Sequence, residues 1–331
     1  MYGEAGIINY VHGNKNRLMK KEEYNSIKTA ATIEDLKIKL QNTIYGKSLL
    51  EDSATTHKAF KEALYQCVDK QIKMTQAFTT EKSKTLIDFY KEKFQLDNFI
   101  YLWACKEESP KTLETALDIH PLGTYPELNF IKVTQTAKDT WKFCLENTPL
   151  CKYIVGLSHE ILKEDVQYVR SILQKRYIEL LYEYSKKNNL ILSELVLFEG
   201  DKRIIEILYS TVGTTMSARE KECLFPACST FSDIHKDLLL NCKSIDELQG
   251  VLSTHSNHRN IVGNERGLED ALIREEVRIC NKSFYVYDDP SVVYTQLTLQ
   301  ELEVRNLIFM ADCIIQGYKD HADQIVDING N

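Results

Sequence analysis

The sequence predicts an all-α protein, on three observations. Apolar residues recur three or four positions apart over long stretches, which is the helical period. Glycine and proline are few, 13 and 6 in 331 residues, too few for a loop-rich β architecture. One segment, "FYVYDDPSVVY" from Phe284, has strand-like aromatic and β-branched content, and its Asp-Asp-Pro predicts a turn rather than a sheet.

Taken in order, the first clear helix start is "TIEDLKIKL". Thr32 is placed to cap it, Asp35 stands three residues on as a capping-box acid, and Ile33, Leu36 and Leu40 share a face. From Lys58 to Trp103 the apolar positions Phe60, Leu64, Val68 and Ile72, then Phe89, Phe94, Leu96, Phe99, Ile100 and Trp103, run without a proline. They predict two long helices joined near "FTTEKSK". "HPLGTYPE" from His120 forces a turn. In "NTPLCKYI" Thr148 is expected to cap a helix with Pro149 at its first position. Glu164 to Lys187 reads as an amphipathic helix of about six turns. Ser217 with Glu220 forms a second capping box, closed by Pro226. The polar stretch 253–267 is expected to be a mobile loop.

Three segments echo one another. Asn98, Arg203 and Asn306 each follow charged residues and precede an apolar pair (Phe99-Ile100, Ile204-Ile205, Leu307-Ile308), at intervals of roughly a hundred residues. The spacing predicts three related helical modules, 1–118, 119–222 and 223–331, against the alternative that amphipathic helices look alike by chance. A chain of this length is expected to divide into two or three domains.

Composition excludes several function classes. A formal net charge of −7 and a pI near 5.7 lack the basic surplus that nucleic-acid binding requires. Nine scattered cysteines suit reduced thiols in a cytosolic setting, and the start, "MYGEAGIINYVHG", does not read as a secretory leader. The longest apolar runs, "LIFMA" and "LVLF", are far too short to span a bilayer.

Candidate chemistry is thin. Cys223, Cys228 and Cys242 with His255 and His258 lack the spacing of a zinc site, so buried thiols and a loop histidine pair are expected. "IYGKSLL" lacks the upstream glycine of a phosphate-binding loop, and a helical cap is the better reading of Gly46. His120, at a helix-to-turn junction, is expected to tie down backbone groups rather than to act as a base. Glu301 and Glu303 share a segment with Arg305, and Arg305 is placed to pair with Glu301 one turn away. The residues assemble no catalytic, cofactor or metal site, which on chemistry alone leaves a helical scaffold or soluble adaptor.

In order along the chain, "GIINYVHGNKNRLMKKEEY", "TIEDLKIKLQNTIYG", "LDNFIYL", "HPLG", "NTPL", "FEGDKR", "LFPAC", "LEDALIREEV" and "LEVRNLIFMADCIIQ" together resemble the d subunits of vacuolar-type proton-pumping ATPases, relatives of the archaeal-type C subunits. The resemblance implies a funnel-like, pseudo-threefold arrangement of the three modules. It implies a subunit without catalysis, on the cytosolic face of the proteolipid c-ring in vacuolar or other endomembranes. It also implies the central-stalk subunits D and F and other membrane-sector subunits as partners, with no membrane span of its own. Asp97, Asn98, His120, Asp201, Arg203, Glu301, Glu303, Arg305 and Asn306 are then structural, tying modules together or capping helices. Two departures stand out: Ala30 and Ala31 occupy a place where relatives often carry cysteine, and 253–267 reads as rewritten.

Overall fold

The computed structural model describes residues 4–51, 56–108, 119–158, 161, 164–259, 261–262, 267–286, 288–318 and 324–329. Among them the regular structure is helix without strand, as the apolar period predicts. In chain order the helices are α1 Glu4–Lys15, α2 Lys21–Lys28, α3 Ile33–Leu40, α4 Gly46–Glu51, α5 His57–Gln76, α6 Glu81–Glu108, α7 Leu128–Val133, α8 Ala137–Asn147 and α9 Cys151–Ile154. They continue as α10 Val166–Lys187, α11 Leu192–Thr211, α12 Ala218–Leu224, α13 Asp233–Leu240, α14 Ile245–Thr254, α15 Leu268–Ser283 and α16 Ser291–Gln316. Among the described residues between α6 and α7, Pro121–Gly123 forms a 3-10 turn.

Several helix ends follow from local chemistry. Thr32 accepts the Asp35 N–H at 3.1 Å, while the Asp35 carboxylate reaches back to the Ala31 N–H at 3.0 Å. At α12, Ser217 and Glu220 exchange both capping-box bonds. α5 and α6 are the two long helices expected around Lys58–Trp103, broken at residues 77–80. α16 ends on Gly317 at φ +76°, a left-handed conformation that glycine adopts without strain.

Thr148 corrects an expectation. Its hydroxyl donates back to the Cys144 carbonyl at 2.8 Å, finishing α8, and α9 begins only at Cys151. A threonine can return its hydroxyl to the preceding turn, and the residue that flanks α9 is Leu150, two positions past Thr148, so Thr148 does not stand in the capping position. The stretch 253–267 also differs from an open loop where it is described. α14 continues to Thr254, and His255 and His258 are buried with their rings stacked at 4.8 Å; residues 260 and 263–266 lie outside the described residues, as does the module boundary at 118.

The chain divides into two compact units. The first comprises residues 1–87, 189–195 and 252–331 and is organised on α16, against which α1, α3, α5 and α15 pack. Every residue of α16 from Ser291 to Val304 is buried. Burying a side chain such as Leu297, Leu299 or Leu302 contributes roughly 1.5–3 kcal/mol, whereas the polar residues enclosed with them must find partners. The second unit comprises residues 88–188 and 196–251. In it α10 packs on α9 and α12, and α8 on α7 and α9. Aromatic contacts fill its core, among them Trp103 on Trp141 at 6.0 Å and Tyr153 on Tyr177 at 5.9 Å.

Candidate functional site

The three echoing segments fall in the middle of α6, α11 and α16, where helix hydrogen bonding is complete and the side chains are free to bind elsewhere. On α6, Asn98 is buried. Its Oδ1 accepts the His120 N–H at 2.8 Å and its Nδ2 donates to the His120 carbonyl at 3.0 Å. On α16, Asn306 makes the same pair with Val326, Oδ1 accepting the N–H at 3.3 Å and Nδ2 donating to the carbonyl at 2.7 Å. On α11, Asp201 accepts the Thr230 N–H and the Ser229 hydroxyl, both at 2.7 Å, and the Thr230 hydroxyl as well.

A helix side-chain oxygen thus pins a backbone N–H that lies 22, 29 and 20 residues further along the chain. An amide can satisfy both groups of one residue at once, and a carboxylate gathers several donors. Small residues allow two of the approaches. A Cβ on Gly123 would stand 2.4 Å from both Asn98 Nδ2 and the Phe94 carbonyl oxygen, and one on Gly200 would stand 1.9 Å from the Cys228 carbonyl oxygen.

His120 ties down backbone as expected: its Nδ1 accepts the Leu122 N–H at 3.3 Å, and its ring stacks on Phe94 at 4.3 Å. Around α10 in the same unit, Asp97 accepts from Gln174 at 3.4 Å, and Arg203 donates to Ser171 at 2.8 Å and pairs with Glu206 at 3.2 Å. Burial raises the Asp97 carboxyl, and the Arg170, Lys93 and Arg203 charges oppose that.

Arg305 corrects another expectation. It pairs at 3.3 Å with Glu269 on α15 rather than with Glu301, because Glu301 faces inward and is buried while Arg305 points outward. Glu303 is fully buried. Its Oε1 accepts the Met19 N–H at 2.6 Å and the Tyr24 hydroxyl at 3.5 Å, and its Oε2 accepts the Tyr45 hydroxyl at 2.7 Å. Burial pushes its carboxyl up to about 7; the bonds from Tyr45, Met19 and Tyr24 pull it down, and Glu23 nearby adds to the rise.

Sequence reasoning found the helix residues of this set and missed most of what they hold: Met19, Tyr24, Tyr45, Ser229, Thr230 and Val326. A polar residue inside an otherwise apolar helix signals a buried partner, but not which distant segment supplies it. Reasoning also missed Lys106, a buried amine that donates to the Ile131 carbonyl and to the hydroxyls of Thr134 and Thr140. Burial pushes it down to about 8.

The buried pins are satisfied within the chain: Asn98, Asp201, Glu303 and Asn306 each bind another part of it. Among the described residues no cluster of three or more His, Cys, Asp or Glu is placed to hold a metal ion, and no helix is long and apolar enough to cross a membrane.

A family model described as ATP synthase (C/AC39) subunit matches residues 9–324. The V-type proton ATPase subunit d of Dictyostelium discoideum is 28% identical over 330 residues, covering 96% of this chain and 93% of that protein. Subunit d1 of Arabidopsis thaliana is 24% identical over 322 residues, covering 93% and 92%. The Saccharomyces cerevisiae subunit d is 22% identical over 330 residues, covering 96% and 95%. A match running from the first helix to the C-terminal tail, on a helical chain, places this protein in the ATP synthase (C/AC39) subunit family.

Proposed function

We propose that this chain is the d subunit of a vacuolar-type proton-pumping ATPase, a non-catalytic part that couples rotation of the central stalk to the proteolipid ring. The observation that carries the reading is the end-to-end match, over nine-tenths or more of both chains, to proteins named as that subunit in a slime mould, a plant and a yeast. Its place is the cytosolic face of vacuolar or other endomembranes. Its partners are the proteolipid c-ring, the central-stalk subunits D and F and other membrane-sector subunits.

The internal chemistry agrees with a mechanical role. A part that transmits torque must not yield, and close-packed helices cross-tied by buried hydrogen bonds resist deformation. Side-chain pins on α6, α11 and α16, the one on α11 coming from Asp201 two residues before the echoing Arg203, agree with three related modules, 1–118, 119–222 and 223–331, and a funnel-like arrangement of them is part of the same proposal. Asp97, Asn98, His120, Asp201, Arg203, Glu301, Glu303, Arg305 and Asn306 are its packing residues, without catalytic work.

The test is an affinity pull-down of the tagged full chain from gently solubilised membranes, with the co-purifying proteins identified by mass. Proteolipid and central-stalk subunits in stoichiometric amounts are expected. Recovery of the chain alone, or with unrelated soluble partners, would refute the assignment and leave a helical adaptor.

A further inference from the structure

Glu303 joins the two ends of the chain. Its donors, Met19, Tyr24 and Tyr45, stand 258 to 284 positions earlier in sequence. Two further ties reinforce the joint. Asn306 donates to the Tyr24 hydroxyl at 3.5 Å, and the Asn329 amide donates to the carbonyls of Leu18 and Met19 at 3.4 and 2.6 Å. The stretch from Leu18 to Tyr45 is therefore strapped to α16 and to the tail beyond it through a few polar contacts centred on one carboxyl group.

The partners of that carboxyl are a backbone amide and two phenols, neutral donors whose bonds favour the ionised form but are outweighed by its complete burial. A carboxylate enclosed without a counter-cation is destabilised relative to its protonated form. Its surroundings add to this. Glu23 on α2 presents a like charge, and Cys67 on α5 is itself pushed up, to about 11, by burial first and in part by the Glu303 charge, against the opposing pull of Lys70 on the same helix. Asp327 in the tail acts on Tyr24. The other helices packed on α16 bring His12 and Lys15 of α1, both against the Phe284 ring, Lys37 of α3, and Asp270 and Glu276 of α15, Asp270 being held by Arg274.

We infer that Glu303 is a proton-operated latch: protonated, it holds the Leu18–Tyr45 stretch against α16, and on ionisation that stretch opens to water more readily. The direction follows from linkage. Burial raises the carboxyl in the closed form from 4.5 to about 7, so between those values the closed form keeps a proton that the opened, solvated form has released. Rising pH therefore favours opening across that window and has no further effect above it. The full span corresponds to a change of about 300-fold in the opening equilibrium. The latch concerns this chain alone and does not depend on the assignment to a proton pump.

The experiment is hydrogen exchange on the full chain from pH 5.5 to 8, corrected for the intrinsic rate and read at the Met19 amide and over residues 16–30. Protection is expected to fall about 25-fold across that range, levelling off above about pH 7.5, and to be flat in Glu303→Gln. An equal slope in both proteins, or a flat profile in the unsubstituted chain, would overturn the inference. Because Glu303→Gln could fail to fold, the unsubstituted chain labelled with carbon-13 at glutamate Cδ supplies a second reading. A Glu303 carboxyl midpoint near 7 supports the latch, and titration of every glutamate below about pH 5 refutes it.

Discussion

Replacing Asn98 separates a pin from mere packing. The Asn98 side chain is 3% exposed and makes both bonds to His120, at 2.8 and 3.0 Å. Asn98→Ala removes two hydrogen bonds, each worth roughly 1 kcal/mol net, and leaves a partly buried N–H and carbonyl without partners at about 1 kcal/mol or more in addition. The expected loss is roughly 2–4 kcal/mol, measured as a lower urea midpoint at unchanged slope.

Asn98→Asp is the sharper variant, because it preserves volume and the acceptor for the His120 N–H but turns a carboxylate oxygen towards the His120 carbonyl. Once ionised it should cost at least as much as alanine, since a buried charge facing an acceptor is unfavourable. Below its own titration the acid O–H can donate to that carbonyl, and most of the loss should return. A pure packing role predicts a small, pH-independent effect. A loss below about 0.5 kcal/mol for alanine, or a penalty for Asn98→Asp that does not change with pH, would mean that the Asn98–His120 bonds do not hold the turn.

How much was legible beforehand divides along a physical line. Helix positions, capping boxes and the turn at His120 depend on neighbours within four residues, so Thr32, Ser217 and the break between α5 and α6 could be read directly. The helix residues of the pins were legible as polar interruptions of apolar runs. Their partners were not, because pairing Asn306 with Val326, or Glu303 with Tyr45, depends on packing between segments 20 to 258 residues apart. Arg305 failed for the same reason. The i, i+4 rule assumes that both side chains face solvent, and the enclosure of α16 turned Glu301 inward. The Thr148 cap failed because α9 begins at Cys151, two residues later than a helix opening on Pro149 would, and the Thr148 hydroxyl serves the end of α8 instead.

Further outcomes test other parts of the structure. Gly200→Ala places a Cβ 1.9 Å from the Cys228 carbonyl, so the Asp201 pin must shift; a loss of roughly 3 kcal/mol is expected by chemical denaturation, and a neutral result would show that the 225–230 turn yields freely. Tyr45→Phe removes a bond that holds the Glu303 carboxyl down, so the Glu303 midpoint should move upward in the carbon-13 titration; a downward move would mean that Tyr45 does not donate to it. Lys106→Met removes the donor shared by Ile131, Thr134 and Thr140 and should cost roughly 2 kcal/mol by chemical denaturation; a neutral result would show that the bond the two hydroxyls already make to each other, at 2.6 Å, satisfies them without the lysine. Arg305→Ala distinguishes fold from assembly. Arg305 and Glu269 are 44% and 83% exposed, so the pair contributes less than about 1 kcal/mol and the isolated chain should keep its stability. If the same variant then fails to co-purify with its membrane partners, Arg305 works at an interface rather than inside the fold; if instead the isolated chain loses several kcal/mol, the outward placement of Arg305 is wrong.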